Sequence, residues 1–495
     1  MGRTATRNLP IVSKKGELHS IRVAPVDCNF PRSDTGAAPS ADPDWLAATL
    51  AELADTHHVP GAQLAVHRGG VTVAVEIGEQ EHGSGIPLTT ETAFPTGSLC
   101  KVATATLAMI LVGDGDLELD APLEEHLPEL DGLGSELTLS QLLSHTSGLP
   151  SSPDTQEWPA LSLGRYVRKH CGWQNLILPP GSAFSYSNLN YVVIGHLIET
   201  ITRMNWSEAV ESILLRPLGI EATMVGAMVR TLFGRPIATG HSVNAATGRT
   251  RPVEQSIVPA EAPGVGLAMS AVDLVALGRM HIGSGFPELL PAAHAEQMRQ
   301  AIPGVEPFGL ADGWGAGLAV FQGETTTWVG HDGNANGTSC YLRIDPANEY
   351  VLALTTNANT GSSMWEELRS KTGLANPTLS RYQSDGSFLT VASPAEFVGS
   401  YVNGPTEFFV TAGDEGGLFL EIGGELVARL AFYDDRDFLI QDPISGQGHQ
   451  IGRFLRDSIT QQVECVQIGG RLAPRRGLAV PEARSSSESV SRVSV

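Results

Sequence analysis

The stretch SLCKVATATLAMILVG, residues 98–113, constrains the fold of this chain more than any other. Residues 102–113 carry almost no polar side chain. A helix that is apolar on every side must be covered on every side, so at least two layers have to close around it. It is too short to cross a bilayer. Yet the run begins with a lysine, in a chain whose lysines are only 14, 15, 101, 169 and 371. An ammonium buried there is expensive unless it is paired or neutral. Ser98, three residues earlier and so on the same helical face, is the first candidate partner.

That pair has a chemistry. Burial disfavours the charged ammonium, and a neutral amine beside a hydroxyl can take its proton. The helix N-terminus adds free N–H groups and positive potential where an oxyanion would form. Ser98 is then a nucleophile and Lys101 its base. The structural alternative makes Ser98 a helix cap and sends Lys101 to water. S-x-x-K alone does not decide between them, but the motif occurs only here in a lysine-poor chain.

The 495 residues, 42% of them hydrophobic, can build more than one domain. A formal charge of −22 argues against nucleic-acid partners and anionic membrane surfaces. Five scattered cysteines suit a reduced, cytoplasmic protein. No metal-ligand spacing and no cofactor motif appears, so neither a metal nor a cofactor is expected.

The expected organisation is α+β. Residues 1–40 read as a disordered leader without an apolar signal segment, and 41–375 as the catalytic domain. A linker at 376–392 and a small antiparallel β-barrel at 393–475 follow, with a disordered tail at 476–495. Within 41–375 we expect a helix at 44–57, then a hairpin turning at Arg68-Gly69-Gly70. A short helix after Thr138, a mostly helical insertion at 160–255 and a helix over 268–283 capped by Ser270 come next. Strands near 314–356 and a helix near 362–373 close the domain.

A serine and a lysine need a second proton-handling group. Tyr186-Ser187-Asn188 lies between a Pro-Pro-Gly turn and an amphipathic helix, and Tyr186 can point into a cleft or simply pack. Tyr401-Val402-Asn403 repeats the pattern but opens the barrel and is set aside. His331-Asp332-Gly333 falls on a strand, where glycine permits close backbone approach. His170-Cys171-Gly172 and His281-Ile282-Gly283 match the same short pattern, but not among strands.

In this order, SLCK, YSN and HDG resemble the motifs of the serine β-lactamase/penicillin-binding-protein superfamily. With LTLSQLLSHTSGLP, PPGSAFSYSNLNYVVIGHLIE and GVGLAMSAVDL beside them, the chain is similar to its class C β-lactamase-related group (peptidase family S12, family VIII esterases, D-aminopeptidases). The resemblance implies an antiparallel sheet flanked by helices. It implies Ser98 as acylated nucleophile, Lys101 as base and Tyr186 as the group that protonates the leaving group. Asn188 would bind the acyl-side amide, and His331 would stand where lysine is common. The N–H groups of Ser98 and Asn334 would form the oxyanion hole, with Gly333 beside them. The barrel resembles the lipocalin-like domain that some members append.

Asp332 departs from that pattern, which has Thr or Ser there to hold a substrate carboxylate. Asp332 and His331 together disfavour β-lactams and peptidoglycan stems, and suit a neutral ester or amide, or an amine near Asp332. The reading is a serine hydrolase for a small-molecule or peptidyl ester, thioester or amide. Its rival is the same acyl-enzyme as a transacylase of natural-product pathways, passing a peptidyl thioester, which a carrier protein can present, to an amine. D-aminopeptidase, DD-peptidase and β-lactamase activities, and a non-catalytic binder, rank lower. A conventional Ser-His-Asp hydrolase is disfavoured, because no G-x-S-x-G elbow occurs. Cys100 is expected to be a small core residue, and His145 and Ser147 to shape a turn.

Overall fold

The computed structural model describes residues 41–477 apart from 154–160, 222, 226–234, 284, 324, 375–387, 390, 392, 414–415, 424 and 442–447, together with three two-residue strands within 11–23. The expected leader, linker and tail lie largely outside the described residues. One short strand, β1 (Arg22–Val23), pairs with the hairpin described next.

Helix α1 (Pro43–Thr56) starts where the Asp42 carboxylate accepts the Asp44 N–H at 3.0 Å, and it buries Leu46, Leu50 and Leu53. β2 (Gly61–Arg68) and β3 (Val71–Gly78) form the hairpin. Its turn needs glycines, since Gly69 and Gly70 lie at φ +57° and +79°. Helix α2 (Cys100–Gly113) follows a 3₁₀ turn at Gly97–Leu99 and is buried along nearly its whole length. α3 (Leu139–Leu143) begins with the expected Thr138 cap, in a reciprocal box with Gln141. α4 (Leu163–His170) and α5 (Asn188–Thr202) follow.

The 160–255 region departs in part from the helical expectation. Gly240–Val243 and Thr250–Val253 pair as an antiparallel ribbon, because the Asn244 side chain accepts the Thr247 N–H and closes a turn. The helix expected over 268–283 is shorter. Ala268–Met269 pairs with Phe94–Pro95, and only then does Ser270, in a capping box with Asp273, start α6 (Ala271–Gly278). α7 (Ala292–Arg299) leads to β4 (Gly313–Trp314), β5 (Ala319–Gln322), β6 (Thr327–Ala335), β7 (Thr338–Asp345) and β8 (Tyr350–Thr356), and α8 (Gly361–Thr372) ends the domain.

The sheet order is β4-β5-β6-β7-β8-β2-β3-β1, antiparallel throughout. One face packs on α2 and α6 and the other on α1 and α8. This is the α+β layering that the sequence order demands.

The C-terminal unit comprises β9 (Gly399–Asn403), β10 (Thr406–Ala412), β11 (Leu418–Ile422), β12 (Glu425–Phe432), β13 (Asp437–Gln441), β14 (Gly448–Arg456), β15 (Val463–Ile468) and β16 (Arg471–Pro474). Each strand pairs with the next, and the first and last meet at a Tyr401–Arg475 bridge, giving a nearly closed barrel. Phe397, Tyr401, Phe432, Phe438 and Phe454 pack ring on ring inside it. These side chains fill the interior where a larger barrel would hold a ligand.

Candidate active site

The 3₁₀ turn places Ser98 one turn ahead of Lys101, and the side chains meet: Lys101 Nζ is 3.1 Å from Ser98 Oγ. Lys101 is 0% exposed. Its nitrogen also donates to the Gly264 carbonyl at 3.1 Å, and no salt bridge reaches it among the described residues. A Cβ on Gly264 would come into van der Waals contact with that nitrogen, 3.4 Å away. The capping alternative does not occur, since no side-chain cap bond starts α2. Cys100 is a core residue. Its Sγ donates to the Ala262 carbonyl, and burial pushes the thiol up to about 11, so it stays protonated.

The turn that carries Ser98 is clamped to β6 by two glycines. Gly97 sits at φ +52°, and a Cβ there would strike the Asn334 carbonyl. A Cβ on Gly333 would lie 2.0 Å from the Thr96 carbonyl and 2.8 Å from the Leu99 nitrogen. The glycine of HDG therefore admits the turn that carries Ser98. As an early member of its helical turn, the Ser98 N–H has no intrahelical acceptor.

Tyr186 is 4% exposed and lies on a strap leading into α5. Its hydroxyl is 3.5 Å from His331 Nε2, and Lys101 Nζ lies 5.3 Å from its ring centroid. His331 Nδ1 is 2.6 Å from the Asp332 carbonyl, which can only accept. That nitrogen therefore carries the proton, and Nε2 is the bare acceptor that faces Tyr186. Burial, then the nearby Lys101, pull His331 down to about 4, so the ring is neutral at pH 7. It does not replace the permanent charge of a lysine.

Asn188 donates from Nδ2 to Ser152 Oγ at 3.2 Å, while its Oδ1 is buried without a hydrogen-bond partner. Asn334 is exposed at its side chain. Asp332 follows His331 on the strand and so faces the other way. Its carboxylate pairs with Arg343 at 2.5 Å, and that guanidinium lies 3.8 Å from the Phe321 ring centroid and 5.1 Å from that of Trp365. The charge expected to confront the substrate is thus compensated on the far face of the sheet.

His145 is more than a turn former. It sits at φ +58° under the Tyr186 ring, centroids 4.4 Å apart, and its Nδ1 accepts the Ser187 N–H at 3.1 Å. Burial holds it neutral. Ser147 has the structural place expected of it, donating to Asn190 Oδ1.

Sequence reasoning missed the barrel's part in the site. The β15–β16 turn reaches over the strap: Gly470 accepts the Tyr186 N–H at 2.9 Å, and the Arg471 guanidinium lies 5.1 Å from the Tyr186 ring centroid. The Arg471 side chain makes no hydrogen bond or ion pair to a described residue. The Gly-Gly-Arg sequence signals a turn, but nothing in it says which surface that turn meets.

The Beta-lactamase family model matches residues 46–375. Penicillin-binding protein 4 of Amycolatopsis lactamdurans is 33% identical over 329 residues, 64% of this chain and 85% of that protein. The unguisins hydrolase ungD' of Aspergillus campestris is 28% identical over 336 residues, again 64% of this chain but only 61% of the relative's length. Among solved structures, SurE is 38% identical with a TM-score of 0.76, over 87% of this chain and 98% of that one. SurE with D-Leu aligns at 36% identity and a TM-score of 0.74, over 87% of this chain and 99% of that one. An 87% match extends beyond the catalytic domain into the barrel.

Proposed function

This chain belongs to the Beta-lactamase family, and on that premise we propose that it transfers an acyl group through a covalent ester on Ser98. The observation that carries this reading is the contact between Ser98 Oγ and the fully buried Lys101 amine. Lys101 takes the serine proton as Oγ bonds to the acyl carbon of an ester, thioester or amide. The N–H groups of Ser98 and Asn334 receive the oxyanion. As the intermediate collapses, Tyr186 gives its proton to the leaving group and regains one from the Lys101 ammonium. His331 Nε2 orients the phenol. The acceptor then enters, passes a proton back through Tyr186 and Lys101, and releases Ser98.

Water as acceptor makes the protein a hydrolase. An amine as acceptor makes it a transacylase, and the likeness to the structure of SurE with D-Leu, which includes the barrel, supports a D-configured residue in the site. An amino-acid residue offers an apolar side chain, an N–H and, when free, a carboxylate. The unpartnered Asn188 Oδ1 suits the N–H, and the Arg471 guanidinium, set over the Tyr186 ring with no hydrogen bond to a described residue, suits the carboxylate or a carbonyl. In a peptidyl ester or thioester the terminal carboxyl is the acyl group itself, so such a donor would offer Arg471 a backbone carbonyl instead.

The test is intact-mass and product analysis with synthetic peptidyl thioesters bearing D- or L-leucine at the acyl carbon, with and without an added amino-acid amide. A Ser98-linked acyl adduct, with amide product formed preferentially from the D-donor, is expected. Free acid alone would leave the hydrolase and remove the transacylase. No adduct on Ser98 from any donor would remove both.

A further inference from the structure

Asn403 lies at the end of β9, in the barrel, and is 1% exposed. Its side chain makes three hydrogen bonds, two to the catalytic domain and one to the neighbouring barrel strand. Oδ1 accepts the Ser151 N–H at 2.7 Å. Nδ2 donates to the Leu472 carbonyl at 2.8 Å and to Ser185 Oγ at 3.3 Å. Ser185 Oγ also accepts the Leu472 N–H at 3.2 Å.

Both catalytic-domain partners adjoin the proton-handling tyrosine. Ser185 precedes Tyr186 in the chain. Ser151 donates from its hydroxyl to the Tyr186 carbonyl at 3.3 Å and accepts the Asn188 N–H on its own carbonyl at 2.8 Å. The fit is close. A Cβ on Gly404, the next residue, would lie 2.4 Å from the Ser152 carbonyl. A buried amide with each end matched fixes register as well as distance.

We propose that Asn403 is a positioning residue for Tyr186, acting across the domain boundary, so that the barrel completes the catalytic centre. The inference rests on the proposed role of Tyr186 as proton donor to the leaving group. Without Asn403 the strap keeps its own bonds to His145, Gly470 and the 150–152 segment, but Ser151 and Ser185, on either side of Tyr186, lose the amide that ties them both to the barrel. The tyrosine hydroxyl then samples positions away from the leaving-group atom. Small misplacement of a catalytic group is enough to slow proton transfer.

The test uses the full-length protein and a series of aryl D-leucyl esters, from 4-nitrophenyl, which departs without a proton, to phenyl, which needs one. Rates are normalised to Ser98 sites titrated with a fluorophosphonate, so loss of folded protein does not count. Asn403→Ala is expected to steepen the dependence of kcat/KM on phenol basicity. The phenyl ester should fall about tenfold further than the 4-nitrophenyl ester. Tyr186→Phe gives the reference slope, and the double variant should add little to it. Ser185→Ala, a milder cut in the same link, should shift the slope in the same direction by less. A wild-type slope in both Asn403→Ala and Ser185→Ala, with a steepened one in Tyr186→Phe, overturns the positioning role alone. A wild-type slope in Tyr186→Phe itself overturns the proton-donor reading beneath it.

Discussion

The two side chains proposed to handle protons, Lys101 and Tyr186, are held in opposite ways. Lys101 is fixed by its neighbours in sequence. It stands one turn after Ser98 on an almost wholly buried helix, and its one further hydrogen-bond partner among the described residues is a backbone carbonyl, that of Gly264. Tyr186 is fixed by segments far from it along the chain. Its strap hangs from His145, Ser151 and Gly470, the last in another domain. A helix can present a nucleophile and its base with little outside help. A proton donor opposite them has to come from a separate element, and the tertiary structure must bring it there.

Lys101→Met tests the locally built half and carries the largest effect. The thioether chain fills the same space without an amine, so turnover should fall by about 10³-fold or more. The folded protein should persist, because no buried charge is stranded. Steady-state rates and thermal melts check both parts, and retained turnover would remove Lys101 as the base.

Gly333→Ala breaks the joint between the halves. Its methyl would meet the backbone of Thr96 and Leu99, which a side-chain rotation cannot relieve. A loss of about 10²-fold in kcat/KM is expected, with about 1–3 kcal/mol of stability. Fluorophosphonate labelling should slow in parallel. Unchanged labelling would mean that the turn tolerates displacement.

Protonation sharpens the comparison through stability. His331 in the site and His281 outside it are both drawn by burial from 6.5 to about 4. Between those values the unfolded chain binds protons that the folded chain refuses. The stability that each neutral ring confers is therefore complete above about pH 6.5 and is lost as the pH falls towards 4. The slope is about 1.4 kcal/mol per pH unit for each histidine. Denaturant titrations from pH 7 to 4 should show it, and His281→Gln should remove its share without altering turnover at pH 7. A flat profile would contradict the burial of both rings.

The smallest effect is expected at Asp332. Because Arg343 neutralises it on the sheet face away from the nucleophile, Asp332→Ser should change kcat/KM for a neutral ester by less than about threefold. Stability should drop instead, since the Arg343 guanidinium is buried and would lose its carboxylate. A large gain on carboxylate-bearing donors, without loss of stability, would return Asp332 to the substrate's side.

Much of the molecule could be read from local pattern. The Thr138 and Ser270 caps, the glycine hairpin and the strand succession each express a short-range rule. The Asp332 carboxylate is harder to read. Strand alternation puts it opposite His331, but only the fold reveals Arg343 waiting there. The Tyr-Val-Asn copy at 401–403 opens the barrel and so reads as structural. It is no second nucleophile partner, yet its asparagine reaches the strap of the first.

What the sequence determined by itself is the chemistry at short range: a hydroxyl and an amine one turn apart on an apolar helix, because helical geometry is set by spacing alone. The tertiary structure decided where the phenol stands, which charge is cancelled and which domain closes the site. Those depend on contacts between residues hundreds of positions apart, and no local propensity encodes which surfaces will meet.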